Sequence, residues 1–246
     1  MKTFSLTDSG KVRSHNEDNL IVLKNEYDEY LLAVADGMGG HKAGEIASGL
    51  AIECLTNEFY KLETFGSKEN AIEWLRNIVL EINKEIFKYT KENPNSKGMG
   101  TTLVIAIKTD DYILYGNIGD SSGYVIKNNT LHKVTRDHTL VNLLVATGEL
   151  TEEEAKHHPR KNLLMRALGA NDPIEIDIFD VDTTVKGLFL CSDGLTNMLT
   201  DEQIEKILNS NLSIEEAVVR LIRKSNSRGG TDNISIAYLK KESGDL

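Results

Sequence analysis

The chain has 246 residues, enough to bury a full core, and its 38 acidic against 28 basic residues leave a formal charge of −10. That balance argues against nucleic acid, whose binding needs clustered Lys and Arg against phosphates, and it suits a protein that gathers carboxylates around cations. No apolar run approaches the ~20 residues needed to span a bilayer, and the opening MKTFSLTDSG lacks the apolar stretch of a signal peptide.

Cys54 and Cys191 both sit in apolar surroundings (LAIECL and LFLCS) and read as reduced thiols, so the expected compartment is the cytoplasm. With three prolines, no repeat and no linker-like stretch, residues 1–246 are expected to form one domain.

In chain order, TFSLTD at 3–8, NLIVL at 19–23 and YLLAVA at 30–35 read as strands. Two helical patterns follow, from about 43 to 60 and from about 68 to 91, with Ile72, Leu75, Val79, Ile82 and Ile86 at helical spacing in the second. ENPNSKGMG at 92–100 ends it. A β-rich block then covers 101–107, 112–118, 123–126 and 131–134, with Asp-Asp and Asn-Asn turns that predict antiparallel hairpins. Residues 138–168 are polar and helix-prone, and Thr151 before EEEAKHH predicts a capping box. Strands return at 174–181 and 187–192, helices at about 201–209 and 213–226, and a last strand at 233–239. Segregated helices and antiparallel strands predict an α+β fold, a layered sandwich with helices outside.

Four aspartates recur at predicted strand ends, each within two residues of a glycine. Asp36 follows LLAVA and precedes Gly37, Asp120 follows Gly119, Asp193 precedes Gly194, and Asp232 follows RGGT. Each alone is ordinary turn chemistry; together they suggest a shared site. Glu17 and Asp18, in RSHNED, add two more. Such a gathering is costly unless cations neutralise it, and an all-oxygen donor set suits magnesium or manganese. The six histidines show no zinc spacing, and no EF-hand loop occurs.

The stretches TDSGKVRSHNEDN, DGMGGHKAGE, GMGTT, IGDSS, DHTLVNLLVATGELTEEEAKHHPRKN, SDGLTN and GGTDNIS, in that order, resemble the metal-dependent Ser/Thr phosphatases of type 2C, the PPM family. The resemblance runs over nearly the whole chain. GMGGH and HHPRKN resemble its bacterial single-domain branch, whose members oppose bacterial eukaryotic-like Ser/Thr kinases. What the resemblance implies is a four-layer αββα sandwich, two central antiparallel sheets flanked by helix pairs, with two Mn²⁺ or Mg²⁺ ions in a cleft at one end.

By the same resemblance, Asp36 bridges both ions, the Gly37 carbonyl ligates one, and Asp193 and Asp232 complete a shell. Glu17 and Asp18 hold water ligands, with Asn233 as support, and Asp120 with Asp193 serves a weaker third ion. The implied reaction is hydrolysis of phosphoserine and phosphothreonine monoesters by a water bridging the two ions.

Arg13 is the candidate to grip the phosphoryl group. Eukaryotic members place a histidine where this chain has Met38, so His41 is the nearest candidate general acid, a metal-bound water being the alternative. Residues 138–168 correspond to the family's flap, and Ser122 stands where the family usually has Arg. Expected partners are phosphorylated Ser/Thr proteins, a cognate kinase among them, and the expected state is a monomer. The competing reading is a catalytically silent phosphoprotein-binding relative, whose signature is a missing metal carboxylate; every one of them is present here.

Overall fold

Why strand runs such as LLAVA are apolar at every position, and do not alternate, is answered by what covers them. In the computed structural model, which describes residues 1–40 and 42–241, Leu31, Ala33 and Ala35 pack into a helix-facing core. Their neighbours Tyr30, Leu32 and Val34 pack into a second core between two sheets. Both faces of the strand are buried, so both need apolar side chains, each contributing about 1.5–3 kcal/mol when fully covered.

The strands are β1 Lys2–Asp8, β2 Asp18–Lys24, β3 Tyr30–Met38, β4 Gly100–Thr101, β5 Leu103–Lys108, β6 Ile113–Ile118, β7 Ser122–Lys127, β8 Thr130–Lys133, β9 Asp177–Val181, β10 Gly187–Cys191 and β11 Ile234–Lys240. The helices are α1 Ala43–Lys61, α2 Lys68–Glu92, α3 Leu140–Ala146, α4 Glu152–His157, α5 Asp193–Thr196, α6 Asp201–Leu208 and α7 Ile214–Ser227. One sheet has the order β1-β11-β10-β7-β8; the other has β2-β3-β5-β6-β9, with β4 pairing β3. Every pairing is antiparallel.

Helices α1 and α2 cover the outer face of the second sheet through Ala47, Leu55, Leu75 and Ile82. Helices α6 and α7 cover the first through Ile204, Val218 and Leu221, which pack with Phe189 and Tyr238. The result is the expected αββα layering. Capping boxes start three helices, at Thr151, Thr200 and Ser213, the first as predicted from the sequence.

Three elements differ from the sequence reading. Strand β3 does not end before Asp36: it continues through Gly37 to Met38, because Gly37 and Met38 pair with Thr101 and Gly100. The strand expected from 174 begins only at Asp177, after a segment containing Pro173, which cannot donate to a ladder. Helix α5, four residues long, is too short to leave a periodic signal.

Candidate active site

The site is assembled at one end of the sandwich by strand ends that are distant in sequence. In β2 and β3, Asp18 and Asp36 lie directly opposite one another. The backbone of Asp36 is gripped by the next segment. Its N–H donates to the Thr102 hydroxyl (3.0 Å), and its carbonyl accepts from the Thr102 N–H and the Thr101 hydroxyl, both at 2.9 Å. Thr101 and Thr102 therefore fix the backbone that carries the central carboxylate. Thr102 in turn shares a 2.8 Å hydrogen bond with Ser121, next to Asp120.

The glycine after Asp36 has a definite cause. A Cβ on Gly37 would overlap the Gly44 carbonyl in the first turn of α1 and come within 2.6 Å of the Glu17 carbonyl. Strand and helix can meet this closely only without a side chain. The atoms that require glycine here belong to α1 and to the Glu17 backbone. Gly194 is similar, since a Cβ there would overlap the Asn233 carbonyl.

A cleft of about 520 Å³ is lined by Arg13, Glu17, Asp36, Gly37, Asp120, Asp193 and Asp232, among others. The predicted site residues thus converge, with two exceptions. Asp18 lies beneath the cleft, fully covered, where its Oδ2 accepts from the Ser192 hydroxyl at 2.7 Å and its Oδ1 has no partner among the described residues. His41, the candidate general acid, falls outside the described residues. Met38, at the position where eukaryotic relatives carry histidine, lines the cleft and packs over Gly100. Ser122 is buried in β7, its hydroxyl without a partner among the described residues.

Electrostatics follow from this crowding. Burial, then repulsion from Asp18 and Asp193, pushes the Asp36 carboxyl well above the usual carboxylate range, although Asp36 itself is only half-covered from solvent. Burial raises Asp18 to about 7, against the opposing pull of the Ser192 hydrogen bond. Asp120 is likewise raised to about 7 by burial and by Asp193. Asp193 is raised by burial and by Asp232, against the opposing pull of the Asn197 hydrogen bond. Carboxyls crowded in this way need protons or cations among them.

Among the described residues, the cation on the cleft lining that contacts these carboxylates is Arg13, whose Nη2 lies 2.8 Å from Asp232 Oδ2. Partial desolvation works against its charge, but the pairing with Asp232 outweighs this and raises its pKa.

The donor chemistry fits a hard divalent cation: among the described residues the cleft lining offers carboxylates and a backbone carbonyl, with no thiolate and no imidazole. The orphaned buried Asp18 Oδ1 points the same way. Among the described residues, no three acidic, histidine or cysteine side chains already surround one point as a finished ligand shell would. The protein supplies the donors and their excess charge, not a closed cage.

Several supporting residues escaped the sequence reading. Ser192 links Asp18 to the Ser235 N–H (2.9 Å), and Asn197 Nδ2 donates to Asp193 Oδ2 at 2.9 Å. Asn233, expected only as support, accepts from the Glu17 N–H (2.8 Å) and donates to the Ser9 and His15 carbonyls, fastening the Arg13–Glu17 segment to β11.

His138 is the most connected. Its N–H donates to the Gly119 carbonyl (2.8 Å), its Nδ1 accepts from the Gly119 N–H (3.1 Å), and its Nε2 lies 3.2 Å from Asp177. Arg166 completes the group, 2.6 Å from Asp177. Ser192 and His138 each adjoin a predicted motif, SDG and DHT, but a neighbour in sequence is not evidence of contact.

The αββα sandwich thus carries at one end an acidic, arginine-bearing cleft built on oxygen donors. The family model for protein phosphatase 2C matches residues 10–233. The serine/threonine phosphatase of Listeria welshimeri is 44% identical over 236 residues, covering 96% of this chain and 94% of that protein. The protein phosphatase PhpP of Streptococcus pneumoniae is 35% identical over 247 residues, covering 100% and 99%. Among solved structures, the S. agalactiae serine/threonine phosphatase superposes with a TM-score of 0.92 at 34% identity, over 98% of this chain and 99% of that one. The Mycobacterium tuberculosis serine/threonine phosphatase PstP gives 0.86 at 33%, over 98% of each. The chain belongs to the protein phosphatase 2C family.

Proposed function

We propose that this protein hydrolyses phosphoserine and phosphothreonine in protein substrates at the cleft floored by Asp36, and that a cognate Ser/Thr kinase is among those substrates. The observation that carries the reading is the convergence of Glu17, Asp36, Asp120, Asp193 and Asp232 on one cleft that also holds Arg13. Asp36, the Gly37 carbonyl, Asp193 and Asp232 are the residues that would hold two Mn²⁺ or Mg²⁺ ions, with Glu17 and Asp18 behind them and Asp120 serving a weaker third. When bound, such ions neutralise the phosphoryl dianion and lower the pKa of water.

The chain's own residues do the rest. The Asp36 main chain is fixed by Thr101 and Thr102, which sets the point from which its carboxylate enters the cleft. Arg13 reaches the cleft from the segment held by Asn233, and its guanidinium, now paired with Asp232, would grip the phosphoryl oxygens. The buried Asp18–Ser192 pair fixes the junction of β2 and β10 beneath the site. We assign proton donation to the leaving oxygen to His41.

The chain is also proposed to act as a monomeric single domain, with residues 138–168 as a flap beside the cleft. A cytoplasmic setting is supported by two unpaired thiols; no helix among the described residues is long and apolar enough to cross a membrane. The test is hydrolysis of an aryl phosphate and of a phosphothreonine peptide with Mn²⁺, with EDTA, and by Asp193→Ala. Turnover is expected only with Mn²⁺, and a fall of about 10²-fold or more in kcat for the variant. Turnover indifferent to EDTA and to the substitution would refute the assignment.

A further inference from the structure

Beside the cleft lies a second, larger cavity of about 1030 Å³, running under α3 and α4. The two are continuous, since Asp120, Asn162, Met165, Arg166 and Asp193 line both. We propose that this groove seats an apolar side chain of the substrate polypeptide flanking the phosphoserine or phosphothreonine, and so sets sequence preference. The proposal rests on the phosphatase reading above.

A protein substrate cannot end at its phosphoresidue. Extended chain advances about 3.3 Å per residue, so the residues next to the phosphoresidue must lie against whatever adjoins the cleft. On this side they meet a wall of Val141, Leu143, Val145, Ala155 and Met165. Leu143 and Met165 are 49% and 44% exposed, although each is a large apolar side chain. Leu163, on the cleft lining itself, is 45% exposed. An exposed apolar patch of this kind, next to a site that must accept polypeptide, marks a contact surface.

The charged groups of the groove are largely spent on one another. Lys133 pairs with Asp137 (2.7 Å), Arg166 with Asp177 (2.6 Å), and Lys156 with Glu153 (2.8 Å). Arg136 and Lys161 are solvent-exposed. A charged guest side chain seated against Leu143 and Met165 would lose its water with no polar partner there, whereas an apolar one displaces only water from these two residues.

The wall is also held in place. The segment that carries it is fastened to Gly119 through His138 at its start, and through Leu168 to Thr101, with two 3.0 Å hydrogen bonds, at its end. Both anchors adjoin residues of the cleft, so groove and cleft keep one register.

The experiment uses the full chain with Mn²⁺ and phosphothreonine peptides differing only in one residue, Leu, Glu or Lys, placed in turn at the two positions on each side of the phosphothreonine. An aryl phosphate, which has no flanking chain, measures the cleft alone. At one position the Leu peptide is expected to exceed the Glu and Lys peptides by about tenfold in kcat/KM, the scale of partly burying one leucine. In Leu143→Glu that preference should disappear, and in Leu143→Ala it should shrink, each read as the ratio of peptide to aryl-phosphate kcat/KM. Thermal melts of both variants establish that they fold.

No preference at any position, or a preference unaltered in both variants, overturns the groove assignment while leaving the phosphatase intact. Absence of aryl-phosphate turnover in the unsubstituted chain overturns the phosphatase reading, and the groove assignment with it.

Discussion

Replacing Asp18 by Asn should change stability in opposite directions with and without divalent metal. Asp18 is buried, accepts one hydrogen bond from Ser192, and carries an Oδ1 with no partner among the described residues. Its carboxyl is raised by burial from 3.8 to about 7. At 1.36 kcal/mol per unit, that rise corresponds to about 4 kcal/mol of destabilisation once the group is ionised in the folded state. The sign follows from proton linkage. The folded chain binds the proton more tightly than the unfolded one, so stability is greatest below about pH 4, falls as pH rises towards 7, and is level above that.

Asn carries no charge and keeps an acceptor for Ser192, but it places an amide N–H₂ where Oδ1 was, at a cost of about 1–3 kcal/mol. The net gain at pH 8 in EDTA is therefore about 1–3 kcal/mol. That corresponds to a rise of roughly 2–12 °C in Tm for a chain of this size. At pH 5 most of the gain should vanish. In saturating Mn²⁺ the order should invert, because the native protein gains more from binding than the variant. Thermal melts at pH 5 and pH 8, in EDTA and in Mn²⁺, decide the matter. A variant less stable than the native chain in EDTA at pH 8, or equally stabilised by Mn²⁺, would refute the reasoning.

Arg13→Ala should lower kcat/KM for phosphopeptides by about 10- to 100-fold, the worth of a charge-assisted contact, mostly through KM, as steady-state kinetics will show. His138→Ala leaves the Gly119 N–H without its acceptor; a loss of about 1–3 kcal/mol, or roughly 2–12 °C in Tm, is expected, with partial recovery in His138→Asn. If His41 protonates the leaving oxygen, His41→Ala should cost about 10²-fold in kcat on phosphothreonine peptides and far less on an aryl phosphate, whose leaving group needs little protonation. Equal losses on both substrates would reassign the proton donor.

Most elements of the fold were legible from local pattern. The helical spacing of Leu75, Val79, Ile82 and Ile86 predicted α2, and Thr151 followed by Glu154 predicted the start of α4. The readings that failed are those in which a distant segment overrides a local signal. DGMGG has the composition of a turn, yet β3 runs on to Met38 because β4, some sixty residues later, offers it a partner. Gly37 looks like turn chemistry and is in fact demanded by Gly44 of α1.

What the sequence by itself determined is the set of acidic residues, their placement near strand ends beside glycines, and the apolar runs that must be covered on both faces. These depend on neighbours a few positions away, which is the range over which periodicity and turn preference act. The tertiary structure alone decided that Glu17, Asp36, Asp120, Asp193 and Asp232 share one cleft, that burial raises Glu17, Asp36, Asp120 and Asp193 together with Asp18 beneath them, and that a groove with an exposed apolar wall opens beside them. Charge repulsion and desolvation are sums over atoms brought together by folding, so no stretch of sequence contains them until antiparallel pairing has aligned the strand ends.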